Sequence, residues 1–267
     1  MPSAPVVLHV SPHPDDECVG APATLMALAD AGWRVVNLAC GLGRPAQHAV
    51  RRAELVEACS RAGFALDVVE PPAALSHDDD LPATQRRLRR EIAARISQLR
   101  PRLVVSPSPH DRHHGHETVA RAVRGAVEGA GRETPRWWMW GLWGELAFPT
   151  LVSGFDEARL REVQHALAAH ASEVARLDLP RIVRARAELA AAAGPERVFG
   201  TGFEGAAGGR VAEVDYAELL CEVAPVGDTW RLGAPRGLDP LEPLASARGR
   251  DVGWWLRQRT VTQRAGD

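Results

Sequence analysis

The fold is decided near the N-terminus by residues 6–17, which read VVLHVSPHPDDE. Val6–Val10 is a short run that is apolar apart from one histidine, and a serine and a proline end it. Short apolar runs bounded by turn-forming residues are typical of buried β-strands. The polar stretch His13–Glu17 follows, and apolar residues then recur at helical spacing over 18–31. The opening of the chain therefore predicts a strand, a polar turn and a helix.

Strand-like and helix-like segments alternate along the first half of the chain. Further strands are predicted at Arg34–Ala39, Leu66–Val69, Leu103–Val105 and Arg136–Trp140, with helices at 47–62, Ala83–Leu99 and Thr118–Val127 between them. This alternation predicts βαβ units, and right-handed crossovers then place helices on both faces of a mainly parallel sheet. We predict an α/β, Rossmann-like, doubly wound fold with a smaller C-terminal α+β portion.

The second half of the chain has a different pattern. Helices are predicted at Phe155–Ala175 and Leu179–Ala193, a strand at Val211–Val223, and loops from Gly233 onwards, where Pro, Gly and Arg are frequent. A length of 267 residues fits one large domain. We predict a single domain over residues 1–267, with a core at 1–145, a helical and strand portion at 146–230 and a loop-rich tail at 231–267.

Composition excludes several classes of function. The formal net charge is −2, whereas a nucleic-acid partner favours a basic surplus, so no nucleic acid is expected. All 32 basic residues other than histidine are Arg, which excludes a catalytic lysine. We found no apolar run of membrane-spanning length and no signal peptide, and the four cysteines form no C-x-x-C pair. We expect a cytoplasmic protein with reduced thiols and no membrane partner.

Two polar stretches follow the first and fourth predicted strands. They are HPDDE at 13–17 and HDRHHGHE at 110–117. Each is ambiguous alone, because Asp15 or Asp16 can simply cap a helix and a surface cluster of histidines often has no function. In an open parallel sheet, however, ligands bind beyond the carboxyl ends of strands where the strand order reverses. A strand order such as 3-2-1-4-5 would bring both stretches to that point.

The residue types in these stretches suit a catalytic metal site. Two histidines and one carboxylate with an open fourth position are typical of catalytic zinc. A second carboxylate, Asp15, is then available to act as a base on the attacking water.

The sequence resembles the LmbE-like superfamily, which includes the N-acetylglucosaminyl-phosphatidylinositol de-N-acetylase (PIG-L). HPDDE matches the first motif of that family, and His113 and His116 match its His-x-x-His motif. The resemblance implies three zinc ligands, a general base and a group that stabilises the oxyanion; these are His13, Asp16 and His116 as ligands, Asp15 as base and His113 at the oxyanion.

Other residues match the family less strongly. Arg51 and Glu54 fit an Arg-x-x-Glu element whose arginine is expected to contact sugar hydroxyls, and Asp78 is the expected second substrate contact. His170–Ser172 and Tyr216–Glu218 resemble two late elements. The sequence departs from the family at His114 and Gly115, where many members have Pro-Asp. Asp111 is a candidate for the missing carboxylate, and His110 and His114 are alternative ligands.

We therefore predict a zinc-dependent hydrolase acting on linear amides. The predicted reaction is removal of the acetyl group from an N-acetylated amino-sugar-containing small molecule by a zinc-bound water, with Fe²⁺ as a replacement metal. The expected context is secondary metabolism. Three alternatives stay open. One is an amidase that removes another acyl group from a thiol conjugate or an antibiotic scaffold. The second is a non-catalytic sugar- or nucleotide-binding Rossmann-like protein, and the third is a metal-storage or structural zinc protein. Asp15 argues against both non-enzymes. A homo-oligomer is compatible with the sequence.

Overall fold

The computed structural model describes residues 4–131, 134–200, 214–244 and 249–258. Its strands are β1 (Val6–Ser11), β2 (Arg34–Ala39), β3 (Ala65–Val68), β4 (Leu103–Pro107), β5 (Arg136–Trp140), β6 (Leu151–Phe155), β7 (Tyr216–Val226), β8 (Thr229–Leu232) and β9 (Arg236–Gly237). Its helices are α1 (Asp16–Val19), α2 (Pro22–Asp30), α3 (His48–Ala62), α4 (Leu81–Leu99), α5 (His114–Glu128), α6 (Glu157–Leu167), α7 (Ala171–Val174), α8 (Leu179–Phe199) and α9 (Gly253–Leu256). No helix among the described residues is long and apolar enough to cross a membrane.

The strands form one mixed sheet in the order β3-β2-β1-β4-β5-β7-β6-β9, with β8 beside β7. Strands β1 to β5 run parallel to one another, and β7 pairs antiparallel with β5, β6 and β8. The predicted α/β fold is confirmed, and so is the strand order 3-2-1-4-5. Because β1 connects outward to β2 and β3 while β4 lies on its other side, the order reverses between β1 and β4.

Side chains that alternate along the strands build a core on each face of the sheet. In β1, Val7 belongs to the core that also contains residues of α2, α3 and α6, and Leu8 to the core formed with α4 and α5. On the second face, α4 contributes Leu88, Ile92 and Ile96, which recur every four residues and lie on one side of the helix. Helices therefore cover both faces, as predicted.

Two predicted helices are interrupted in the structure. The helix expected over 18–31 is divided into α1 and α2, because Pro22 starts a new helix. Between the two helices, Gly20 lies against the ring of Trp140, and a Cβ on Gly20 would lie 2.5 Å from Trp140 Cε2. The expected helix Phe155–Ala175 begins as strand β6, whose Phe155 pairs with Tyr216. Asp156 then accepts a hydrogen bond from the N–H of Arg159 at 2.9 Å and starts α6.

The C-terminal part of the chain completes the same sheet. The last long strand is Tyr216–Val226 where Val211–Val223 was expected, and residues 211–213 lie outside the described residues. It pairs with β5, so residues beyond 145 extend the sheet that residues 1–145 begin. The region from Gly233 contains β9 and α9 rather than loops alone. The division into a core, a C-terminal portion and a tail stays a prediction.

Candidate metal centre

The two polar stretches lie at the same edge of the sheet. Parallel pairing of Leu8 with Val104 and of His9 with Val105 puts the carboxyl ends of β1 and β4 side by side. His13 stands just beyond β1, and helix α5 begins at His114 instead of the expected Thr118. His116 therefore projects from the first turn of a helix, which fixes its backbone more firmly than a loop would.

The predicted ligands come together around one carboxylate. Asp16 Oδ2 lies 3.4 Å from His13 Nδ1, and Asp16 Oδ1 lies 3.3 Å from His116 Nε2. His113 is also close, since ring nitrogens of the three histidines lie within 4.8 Å of one another. The side chains of Asp16 and His116 are each 2% exposed, and that of His13 is 21% exposed. The cluster is buried at Asp16 and His116 and partly exposed at His13 and His113.

This donor set fits a divalent metal. Burial lowers the pKa of His116, but Asp16 and Asp111 outweigh that effect and raise it to about 10. The surroundings of this imidazole therefore favour a positive charge, which a cation between His116 and Asp16 would supply. Imidazole nitrogens with a carboxylate suit Zn²⁺ and also Fe²⁺, so the donors do not distinguish the two metals. A carboxylate shared by a buried and a partly exposed imidazole supports either ion.

Asp111 fixes the orientation of His116. Its Oδ2 lies 2.7 Å from His116 Nδ1, which leaves Nε2 free to face Asp16. Its Oδ1 accepts backbone N–H groups of Leu142, Trp143 and Gly144 at 2.6, 3.0 and 3.1 Å, and Asp111 is fully buried. Such carboxylate–histidine pairs hold the metal-binding tautomer in place. Asp111 thus lies next to His116, and its role as the missing acidic neighbour stays a prediction. The three N–H groups could not have been found from the sequence.

Gly115 has a steric role beside the site. A Cβ at this position would lie 2.9 Å from both Cε1 and Nε2 of His13, closer than side chains normally approach. The departure from the Pro-Asp pattern therefore leaves room for the ring of His13 against the first turn of α5. His114, the other altered position, lines the cavity next to the site.

Asp15 and His113 have strongly altered proton affinities. Burial, followed by the charges of Asp16 and Glu17, raises the pKa of Asp15 well above its usual range. Burial, followed by His116 and His13, lowers the pKa of His113 to about 3. Asp15 occupies the N-cap position of α1, but its side chain makes no capping hydrogen bond. Its carboxylate is therefore not engaged as a helix cap.

A cavity of about 330 Å³ opens beside the cluster. Both His13 and His113 line it, together with Arg44, His48, Asp79 and His114 among others. The two predicted substrate contacts are not among the lining residues. Arg51 is buried. Its Nη2 donates to the carbonyl of Pro14 at 3.1 Å and forms an ion pair with Glu173 at 3.0 Å.

The Asp78 side chain is 92% exposed and lies 2.8 Å from His77 Nδ1. The structure thus gathers His13, Asp16, His113 and His116, and Asp15, Arg51 and Asp78 are not among the residues that line the cavity.

Sequence reasoning missed the partners of several motif residues. The segment 170–173 contacts three of them. His170 Nε2 lies 2.5 Å from Glu17 Oε1, Ser172 donates from its N–H and its hydroxyl to Glu54 at 2.8 and 2.6 Å, and Glu173 pairs with Arg51. Only the resemblance of His170–Ser172 to a late family element pointed towards this segment. Glu218 of the other late element accepts the N–H groups of Ala23 and Thr24 at the start of α2.

The fold and this cluster define an α/β protein with a candidate divalent-metal centre at the topological switch point of its sheet. Residues 8–127 match the family model described as "PIG-L: GlcNAc-PI de-N-acetylase". The expected resemblance to this family is therefore confirmed over that range, which contains every predicted site residue. No curated protein matches the chain.

Three solved structures illustrate the fold similarity. A conserved protein from Thermus thermophilus is 26% identical, with a TM-score of 0.59, over 82% of this chain and 94% of its own. The N,N'-diacetylchitobiose deacetylase from Pyrococcus horikoshii is 16% identical, with a TM-score of 0.60, over 82% and 84%. The hydratase GalB from Pseudomonas putida is 17% identical, with a TM-score of 0.58, over 83% and 97%. The fold is therefore shared by a deacetylase and a hydratase, and the reaction has to be argued from the site.

Proposed function

We propose that this protein is a metal-dependent N-deacetylase that hydrolyses the acetamide of an N-acetylated amino-sugar-containing small molecule. One observation carries the proposal: His13, Asp16 and His116 converge at the switch point with a second carboxylate, Asp15, next to them in the chain. The PIG-L family match and the fold shared with a chitobiose deacetylase support it.

The metal would be held by His13, Asp16 and His116, with zinc as the first choice and Fe²⁺ as a replacement. When bound, it supplies a Lewis acid that polarises an amide carbonyl and makes water a stronger nucleophile at neutral pH. Asp111 keeps the Nδ1 proton of His116 in place, so that Nε2 stays available as a donor atom. Burial of Asp16 and His116 excludes competing water from this side of the site.

Asp15 acts as the general base. Its raised pKa makes it a stronger proton acceptor than an ordinary carboxylate, which suits removal of a proton from the attacking water near neutral pH. Water adds to the acetamide carbonyl, the C–N bond breaks, and Asp15 passes the proton to the leaving nitrogen. The products are acetate and a free amine, and Asp15 returns to its starting state.

His113 stabilises the oxyanion as a neutral hydrogen-bond donor. With its pKa lowered to about 3, the ring stays uncharged at neutral pH and donates through a single N–H. Its Nδ1 is buried and makes no hydrogen bond to any described residue. The ring also lines the cavity, where the substrate carbonyl would lie.

Substrate binding is assigned to Arg51 and Asp78. Arg51 Nη1 lies close to Gly43, which lines the cavity: a Cβ on Gly43 would be 2.3 Å from this nitrogen. This edge of the guanidinium is the one we assign to sugar hydroxyls. Asp78 would act at the rim, since its partner His77 has its ring 6.4 Å from that of His114. We also propose a cytoplasmic location, because all four cysteines are free and buried.

The proposal is tested by metal analysis together with a substrate screen. Protein purified without chelator should contain about one equivalent of divalent metal, as expected of one three-ligand site. It should release acetate from N-acetylated sugars such as N,N'-diacetylchitobiose, and lose that activity on metal stripping. Release of a different acid from longer N-acyl or thiol-conjugate analogues would favour the amidase alternative. Full activity after stripping, or metal without any amide hydrolysis, would exclude the proposed function.

A further inference from the structure

Asp15 has an unusual backbone conformation for a residue with a side chain. Its φ is 117° and its ψ is −28°, in the left-handed region that residues with a Cβ rarely adopt. Its chain neighbours are Pro14 and Asp16, so no glycine relieves the turn. The direction of the Asp15 carboxylate therefore depends on groups that hold the backbone at Pro14 and Asp15.

The first of these groups is Glu17. Its Oε2 accepts the backbone N–H of Asp15 at 3.2 Å, and its side chain is fully buried. Its Oε1 lies 2.5 Å from Nε2 of His170, which is also fully buried. The thiol of Cys18 is a weaker donor to the same oxygen, at 3.5 Å. Since a buried carboxylate needs hydrogen-bond partners, His170 fixes where Glu17 lies, and Glu17 fixes the N–H of Asp15.

A second, separate contact reaches the preceding residue. Arg51 donates to the carbonyl of Pro14 at 3.1 Å and pairs with Glu173 at 3.0 Å, and the side chains of this pair are 9% and 10% exposed. Glu173 lies three residues after His170. The segment 170–173, at the start of α7, therefore reaches two consecutive backbone positions of the catalytic turn through two buried pairs.

We propose that His170, acting through Glu17, is a positioning residue that holds Asp15 in its catalytic orientation. The proposal rests on the function proposed above for Asp15. Because Glu17, Cys18 and His170 also form a group of metal-ligand type, a bound ion is the competing explanation. A 2.5 Å contact is a direct hydrogen bond, whereas two ligands each about 2 Å from a tetrahedral ion would lie farther apart.

Three variants separate positioning from general stability. His170→Leu removes the donor at similar volume, and His170→Gln supplies a donor of similar reach. Ser172→Ala removes a partly buried hydrogen bond from the same segment to Glu54, which makes no contact with the Asp15 backbone. With N,N'-diacetylchitobiose, His170→Leu should lower kcat about ten- to a hundredfold, since small displacements of a catalytic group have effects of that size. KM and metal content should stay unchanged, and His170→Gln should recover most of kcat.

The second measurement needs no substrate. Amide hydrogen exchange should be slow at Asp15 in the wild-type protein and faster in His170→Leu, with Gly20, whose N–H donates to Asp16, unchanged. A wild-type Asp15 amide that exchanges as fast as an exposed one would overturn the proposal. So would a kcat for His170→Leu equal to that of Ser172→Ala, or a second metal equivalent lost on His170→Leu. If chitobiose is not hydrolysed at all, the proposed function fails while the exchange result still decides the positioning role.

Discussion

The substitution Asp111→Asn tests the proposed metal centre most directly. Asn keeps the shape of Asp, and its amide oxygen can still accept the three N–H groups of residues 142–144 that Asp111 Oδ1 now accepts. Its NH₂ group then faces His116 Nδ1, 2.7 Å away in the wild-type protein. Two donors cannot share that contact, so the imidazole proton moves to Nε2, the atom that faces Asp16.

The expected result is a loss of metal affinity with little loss of stability. Changes to residues that orient a metal-ligating histidine typically cost about 10- to 100-fold in affinity, or about 1.4–2.7 kcal/mol. Asp111→Ala differs, because it also removes the acceptor of three partly buried N–H groups, and an unsatisfied donor costs up to about 1–3 kcal/mol when it is fully buried. We expect Asp111→Asn to unfold near the wild-type temperature without metal, and Asp111→Ala to unfold well below it.

Competition with a chelator of known affinity measures metal binding, and thermal unfolding of the metal-free proteins measures stability. Asp156→Asn is the matched control, since Asn caps a helix as well as Asp does and Asp156 caps α6. Wild-type metal affinity in Asp111→Asn would refute the assignment of His116 as a ligand held by Asp111.

Further predictions concern Asp15, Asp16, Gly115 and Arg51. Asp16→Ala should abolish tight metal binding, as measured by metal content. Asp15→Asn should retain the metal and lose about 10²–10⁴-fold in kcat, as measured by acetate release. Near-normal turnover of Asp15→Asn would contradict the role of Asp15 as the general base. Because the folded protein raises the pKa of Asp15, it binds that proton more tightly than the unfolded chain does, and stability falls as pH rises from about 3.8 through the raised pKa. Asp15→Asn should therefore raise the unfolding temperature of the metal-free protein at neutral pH. An unchanged unfolding temperature would contradict a raised pKa of Asp15 in the folded protein. Gly115→Ala should displace His13 and weaken metal binding in the same chelator assay, whereas Gly129→Ala, whose Cβ would meet atoms no nearer than 3.5 Å, should not. Arg51→Ala should raise KM for N,N'-diacetylchitobiose with metal content intact; a change in thermal stability alone would leave Arg51 a purely structural residue.

Local patterns in the sequence were sufficient for much of the fold. The apolar run at Val6–Val10 and the i, i+4, i+8 spacing of Leu88, Ile92 and Ile96 reflect which faces are buried, so they located β1 and α4 closely. The pattern failed at Phe155, where a helical spacing continued through a residue that pairs with Tyr216 in the sheet. Pairing between residues so far apart in the chain leaves no local signal, and it overrode helix propensity there.

The sequence by itself determined which residues meet at the candidate site: two histidine-containing stretches follow strands one and four, and parallel strands must bring them to one edge of the sheet. Only the tertiary structure decided how those residues are held. Asp111 reaches N–H groups of residues 142–144, and His170 reaches Glu17 across 153 positions, through contacts that depend on how separate elements pack. Residue types and their spacing are local properties, whereas hydrogen bonds between distant backbone and side-chain groups exist only after the chain has folded.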